Sequence, residues 1–285
     1  MNYRHTYHAG NFADVVKHLV LTLVIEHLKL KATPFRVIDT HAGIGAYDLT
    51  ADAAERTGEW RDGIGRLIGP DADPLPPALE LALKPYLDIV RAMNPPGSLR
   101  RYPGSPRIAR ALLRPQDQLV VNELHPEDAA KLRSQFIRDA QTKVLELDGW
   151  TALKALLPPK ERRGVILIDP PFEERRELDR LVEGLAAAVQ RFATGIFMLW
   201  YPIKNPNPIA EFHRRLVAAG HGRLLKIEIL LRAPEDMERL NGCGLVVLNA
   251  PYRLDVTLKP VLSFLGERLA QSQSGFGEAR WLGSH

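Results

Sequence analysis

The chain has 285 residues, 45% hydrophobic and 25% charged, the balance of an ordinary globular protein with apolar material for a sizeable core. Its single cysteine, Cys243, excludes an internal disulfide and a cysteine-rich zinc module, and it suits a reducing, cytoplasmic setting. The net charge of +4, from 38 basic and 34 acidic side chains, is compatible with a polyanionic partner without requiring one.

Met1 to His5 lack the apolar core of a secretory signal, and no apolar run reaches membrane-spanning length, so a protein outside the membrane is expected. Residues 14–31 predict an amphipathic helix, with Val16, Leu19, Val20, Leu23, Val24 and Leu28 recurring at three- and four-residue steps. Residues 35–39 read as a strand that ends in the turn His41-Ala42-Gly43-Ile44-Gly45. Residues 49–110 change character to helices broken by proline and glycine, and are expected to form a helical insertion subdomain. The parent domain would then be 1–48 and 111–285. Ser105 reads as an N-cap, with Pro106 at the first helical position. Strands follow at 118–122, 143–147, 164–168, 195–200, 225–231 and 244–249, and the near-continuous apolar run at 164–168 marks a central parallel strand. The tail from Ser272 is expected to be loosely ordered. The alternation of strands and helices predicts an α/β fold with a mainly parallel sheet.

Asp39, Glu123, Asp148 and Asp169 fall one after another at the C-terminal ends of predicted strands, where an open parallel sheet places its ligand crevice. A glycine turn after the first strand lets backbone approach a ligand, and a carboxylate after the second suits the two hydroxyls of a ribose. The turn lacks the third glycine of the dinucleotide fingerprint, which argues against a nicotinamide oxidoreductase.

Asp169-Pro170-Pro171-Phe172 carries the chemistry. Two prolines turn the chain sharply, so that the Asp169 carboxylate and the Pro170 carbonyl converge as two acceptors suited to an amino group. The Phe172 ring is suited to stack on a base swung out of its helix or loop. The adenine amino nitrogen is a poor nucleophile, and hydrogen bonds to these acceptors favour a tetrahedral nitrogen with its lone pair aimed at a methyl carbon. S-adenosylmethionine brings its own leaving group, so the protein mainly positions the reactants.

The tetrapeptide and the Asp39–Gly45 turn resemble the N6-adenine type of amino-methyltransferase. The run Tyr3-Arg4-His5 through His8-Ala9-Gly10-Asn11, Ala13-Asp14 and Lys17-His18 resembles the bacterial 23S rRNA adenine-N6 methyltransferases of the RlmJ family. So do Asp39-Thr40-His41-Ala42-Gly43, Tyr102-Pro103-Gly104-Ser105-Pro106, Glu123-Leu124-His125-Pro126 and Leu199-Trp200-Tyr201-Pro202, and the likeness covers nearly the whole chain. The resemblance implies a Rossmann-like class I fold, an S-adenosylmethionine cofactor, and 23S rRNA as partner, methylated at adenosine 2030 near the peptidyl transferase centre while free of protein. It implies cofactor contacts at His18, His41, Ser105, Glu123, Asp148, Gly149 and Asp169, catalysis by Asp169 with Pro170 and Phe172, and Tyr3 near the target base. The family often carries tyrosine at the position of Phe172, so the ring is kept and the hydroxyl lost.

Taken alone, some of these residues read otherwise. An Asp before prolines is commonly a turn or cap residue, His41 is as often structural as ligand-binding, and capping explains Ser105 completely. His5, His8 and His18 with Asp14 match no zinc spacing, so no metal is expected. A segment folded over the cofactor mouth, with Tyr3 and Arg4 facing RNA, explains them better. Among the arginine pairs, Arg175-Arg176 follows the Asp-Pro-Pro-Phe turn most closely and is the first candidate for phosphate contact. DNA adenine, a glutamine amide, and a non-catalytic RNA-binding assembly factor on the same fold stay open as alternatives. A monomer is expected.

Overall fold

The side-chain oxygen of Asn11 accepts hydrogen bonds from the N–H groups of Ala13 and Asp14, both at 3.0 Å, and this cap starts α1 (Phe12–Lys29). The computed structural model describes residues 4–283. A 3-10 turn (His5–Tyr7) precedes α1, and β1 (Arg36–Asp39) follows it. A two-stranded antiparallel ribbon, β2 (Ala46–Asp48) with β3 (Arg101–Pro103), brackets α2 (Asp52–Thr57), α3 (Glu59–Asp62), α4 (Gly65–Ile68) and α5 (Pro77–Ala92). Next come α6 (Ser105–Leu112), β4 (Gln118–Asn122), α7 (Pro126–Gln135), β5 (Thr142–Leu145), α8 (Gly149–Ala155) and β6 (Gly164–Ile168). The chain ends with α9 (Glu177–Arg191), β7 (Ile196–Ile203), α10 (Pro206–Ala218), β8 (Leu224–Leu230), β9 (Gly242–Leu248), α11 (Leu254–Arg268) and β10 (Phe276–Leu282).

Eight strands form one sheet in the order β10-β8-β9-β7-β6-β1-β4-β5. The run from β7 to β5 is parallel, and β9, β8 and β10 extend it with antiparallel pairings. Alternating residues of β6 serve both faces: Val165 and Leu167 enter the core under α1 and α11, while Ile166 and Ile168 enter the core under α9 and α10. This two-sided burial explains why the strand reads as unbroken apolar sequence. From the 49–110 segment, Leu83, Tyr86, Leu87 and Val90 of α5 join the same core as α1. Among the described residues no helix is long and apolar enough to cross a membrane.

Two expectations are corrected. Within the tail, Phe276–Leu282 is ordered, pairing along its whole length with β8. Ser105 is not the N-cap of α6. Gly104 holds that place, and Ser105 is the first helical residue, its hydroxyl donating to Asp39 Oδ2 at 2.6 Å.

Candidate active site

The sheet changes direction at β1, with β4 and β5 on one side and β6 and β7 on the other, so the ligand crevice opens above the ends of β1 and β6. Asp39 ends β1, and Glu123 and Asp169 directly follow β4 and β6. Asp148 lies beyond β5 as the N-cap of α8, its Oδ1 accepting from the Thr151 N–H at 2.9 Å. A cavity of about 600 Å³ opens there, bordered by His18, His41, Gly43, Ser105, Glu123, Asp148, Gly149, Asp169, Pro170, Phe172 and Trp200. This is the size of a small-molecule site. Every cofactor-contact position implied by the resemblance borders this one cavity.

The glycine turn is shaped by positive φ angles of 62° at Gly43 and 83° at Gly45. Gly43 N–H donates to Glu123 Oε2 at 2.9 Å, and His125 N–H donates to Oε1 at 2.8 Å. Each oxygen keeps a lone pair for a further donor. Burial raises the Glu123 carboxyl, against those two backbone bonds. Asp39 is 2% exposed and does not reach the cavity wall. Burial pushes it up to about 6, against the Ser105 hydrogen bond and with the charge of Asp169.

The Thr40 hydroxyl donates to the Leu167 carbonyl at 3.0 Å, so its oxygen accepts from His41 Nδ1–H at 2.9 Å. His41 Nε2 is thereby left as an acceptor. Burial lowers the ring to about 4, which keeps it neutral. A Cβ on Gly149 would lie 2.4 Å from His41 Nε2, so the glycine is dictated by the imidazole beside it.

The Asp-Pro-Pro-Phe turn ends with Phe172 at φ 53°, a left-handed conformation that costs a non-glycine residue on the order of 1–3 kcal/mol. The ring meets Trp200 edge-on, with centroids 5.6 Å apart and planes at 73°. Both aromatics border the cavity.

α1 supplies a buried polar face: Asp14, Lys17, His18 and Thr22 are all buried. Lys17 Nζ lies 2.9 Å from Asp14 Oδ1 and donates to Asp169 Oδ2 at 2.5 Å. Gly10 N–H donates to Asp14 Oδ2 at 2.9 Å, and His5 Nε2 lies 2.9 Å from the same oxygen. Burial raises Asp14, and the charges of His5 and Lys17, with the His5 hydrogen bond, outweigh it, leaving the carboxyl well below the usual range. Burial lowers Lys17, and Asp14 and Asp169 outweigh that in turn, so the ammonium stays charged. His18 is neutral, driven by burial to about 3, and its Nδ1 lies 2.7 Å from the Tyr102 hydroxyl.

The family model described as ribosomal RNA large subunit methyltransferase D, RlmJ, matches residues 32–283. The chain belongs to the RlmJ family. Ribosomal RNA large subunit methyltransferase J of Escherichia coli is 44% identical over 99% of both chains, and its Haemophilus influenzae counterpart is 40% identical over the same share. A crystal structure of a Legionella pneumophila protein superposes with a TM-score of 0.86 at 34% identity, covering 97% of this chain and 99% of that one. The fold is therefore the Rossmann-like class I methyltransferase sheet that the sequence predicts.

The positions expected to face RNA are more scattered in this RlmJ-family chain. Tyr3 lies outside the described residues. Arg4 is committed to the first turn of α7, 2.9 Å from both Glu127 and Asp128. Arg176 pairs with Asp179 and Glu183 at 3.1 and 3.5 Å, while Arg175 is exposed and forms no ion pair with a described residue. None of the three arginines borders the cavity. Among the described residues no group of three or more metal-ligating side chains is arranged to hold an ion.

Sequence reasoning gave no role to Lys17 or Trp200, though both stand in strings that carry the family likeness. Lys17 carries a signal after all, because Asp14, Lys17 and His18 share one face at i, i+3 and i+4 in a stretch that is otherwise apolar, Thr22 aside, from Phe12 to Ile25.

Proposed function

We propose that the protein transfers a methyl group from S-adenosylmethionine to the N6 nitrogen of an adenosine in 23S rRNA, with adenosine 2030 the residue implied by the family likeness. The observation that carries this reading is Asp169-Pro170-Pro171-Phe172 on the wall of the cavity that Glu123, Gly43 and Gly149 also border. Those residues fit the cofactor. Glu123 offers lone pairs to two hydroxyls, and the glycine turn admits close backbone approach. The bound sulfonium supplies an activated methyl carbon and its own leaving group.

The protein's part is to hold the amine. The Asp169 carboxylate and the Pro170 carbonyl accept its two N–H bonds, which turns the nitrogen lone pair toward the methyl carbon. Lys17 occupies Asp169 Oδ2, so Oδ1 is the oxygen left for the amine. Phe172, braced edge-on by Trp200, stacks on the extruded base. The Asp169 carboxylate would also take the proton that the nitrogen gives up. The helical segment 49–110 contributes to the choice of RNA.

Methyl transfer from labelled cofactor to purified 23S rRNA, DNA and protein fractions, followed by nucleoside mass spectrometry, tests the reading. Label is expected in N6-methyladenosine of 23S rRNA. Label in DNA or glutamine, and none in RNA, would overturn the substrate. Asp169→Ala is expected to abolish turnover while folding and RNA binding persist, and undiminished turnover refutes its role.

A further inference from the structure

The turn that leads into α1 is gripped from outside the sheet by the segment that follows β2. Glu59, in α3, accepts from Asn11 Nδ2 at 3.0 Å, and its two oxygens lie 3.0 and 3.1 Å from His8 Nδ1. The Thr57 hydroxyl donates to the Tyr7 carbonyl at 2.5 Å, and Ile64 N–H donates to the Gly10 carbonyl at 2.8 Å. Gly63 allows that approach, because a Cβ there would lie 2.2 Å from the Gly10 oxygen. Residues 57–64 thus hold residues 7–11 by backbone and side chain together.

Asn11 has two jobs at two atoms. Its Nδ2 donates to Glu59, while its Oδ1 accepts from Ala13 and Asp14 N–H and caps α1. The first turns of that helix carry Asp14 and Lys17, and Lys17 reaches Asp169. A single carboxylate on the insertion therefore lies one hydrogen bond from the cap of the helix that holds the proposed catalytic carboxylate. His8 is drawn to the same carboxylate, and its ring is raised above the ordinary value, first by the Glu59 hydrogen bond.

We infer that Glu59 is a positioning residue for methyl transfer: it fixes the 8–11 turn and the register of α1, so that Lys17 meets Asp169 while the insertion is seated. This rests on reading Asp169 as the acceptor of the substrate amine. A displacement of about 1 Å at a reacting group lowers a rate by up to roughly a hundredfold, so a small slip of α1 is enough to be read in turnover. Glu59 does not itself border the cavity, so losing its carboxylate should fall on turnover more than on RNA binding.

The test is steady-state methylation of transcribed 23S rRNA by the full chain at saturating cofactor, well below the melting temperature of every variant. Glu59→Ala is expected to lower kcat by about tenfold or more, with the RNA KM within about twofold of wild type. Glu59→Gln, whose amide oxygen still accepts from Asn11, should recover part of that loss. His8→Ala added to Glu59→Ala should lower kcat little further. A Glu59→Ala enzyme with wild-type kcat, or one in which only KM rises, overturns the positioning role. If Glu59→Ala does not fold, Glu59→Gln decides: reduced kcat at a native melting temperature supports the role, and full kcat or unfolding overturns it. If wild type methylates no 23S rRNA, the functional reading falls and this one with it. If wild type is active and Glu59→Ala equally so, only the positioning role falls.

Discussion

Asp169 meets the cavity with one oxygen already taken by a buried ammonium, and that ammonium is shared with a second buried carboxylate, Asp14, which is 1% exposed. Removing one member of such a set leaves an uncompensated charge out of reach of water, a loss of about 3–5 kcal/mol. Lys17→Met is therefore expected to lower both stability and turnover. Asp14→Asn added to Lys17→Met removes the orphaned charge as well, and should regain part of the stability while turnover stays low. Urea melts alongside methylation assays separate the two effects, and a double variant that regains turnover too would show Lys17 to be structural only. At Phe172 the expectation is different, because the ring is held by an unusual backbone angle and by Trp200. Base stacking contributes about 1–3 kcal/mol, so Phe172→Ala should lose roughly five- to 150-fold in kcat/KM while Phe172→Tyr is tolerated. An alanine variant with full activity would remove stacking from the mechanism.

At the scale of elements, the central strands β1, β4 and β6 were legible because each is a largely apolar run closed by a carboxylate, as burial on both faces favours. The site was legible for the same reason, since Glu123 and Asp169 stand immediately after those runs. The polar face of α1 was not, because a periodic apolar stripe reads as a helix with a solvated back, and here the back is covered by α5 and α6. Nor was β10, whose Glu278 and Arg280 look like surface until Lys226 of β8 bonds both Glu228 and Glu278 at 2.6 Å. That partner lies far off in sequence, so no local pattern announces it. Ser105 looked like a cap because Ser-Pro usually is one, and the hydroxyl was instead taken by Asp39. The seat of β10 can be tested through Gly266 of α11. A Cβ there would lie 2.4 Å from both Gly277 N and Phe276 C, which forces helix and strand apart. Gly266→Ala should destabilise by about 1–3 kcal/mol, as overpacking does. At a temperature where it is folded, its kcat should match wild type. A melting temperature equal to wild type would mean that the helix and strand yield without loss.

Over the whole molecule, the buried histidines set how the fold responds to acid. Burial holds His18 neutral at about 3, and His41 and His213 neutral at about 4. Unfolded, each returns to a value near 6.5. Between about pH 6.5 and 4 the unfolded chain therefore binds protons that the native chain refuses, and stability is lost as pH falls through that window. Asp39 opposes this. Burial first, together with the Asp169 charge, lifts it to about 6, so its contribution is greatest below the ordinary carboxylate range and fades as pH rises through 6. His8, raised by Glu59, also favours the fold at lower pH, but its contribution is complete below 6.5 and changes only above it. Three histidines against Asp39 and the raised carboxyls of Glu123 and Glu177 still leave the unfolded state the stronger proton binder near pH 5, with a slope on the order of 1 kcal/mol per pH unit. Urea melts at pH 5 and pH 7, at constant ionic strength, should show markedly lower stability at pH 5. His213→Asn lies away from the cavity wall and should flatten the slope without altering turnover at pH 7. Equal stability at the two pH values would mean that these imidazoles take up protons in the native fold, and that the neutral His41 acceptor described above is not the state in which the cavity works.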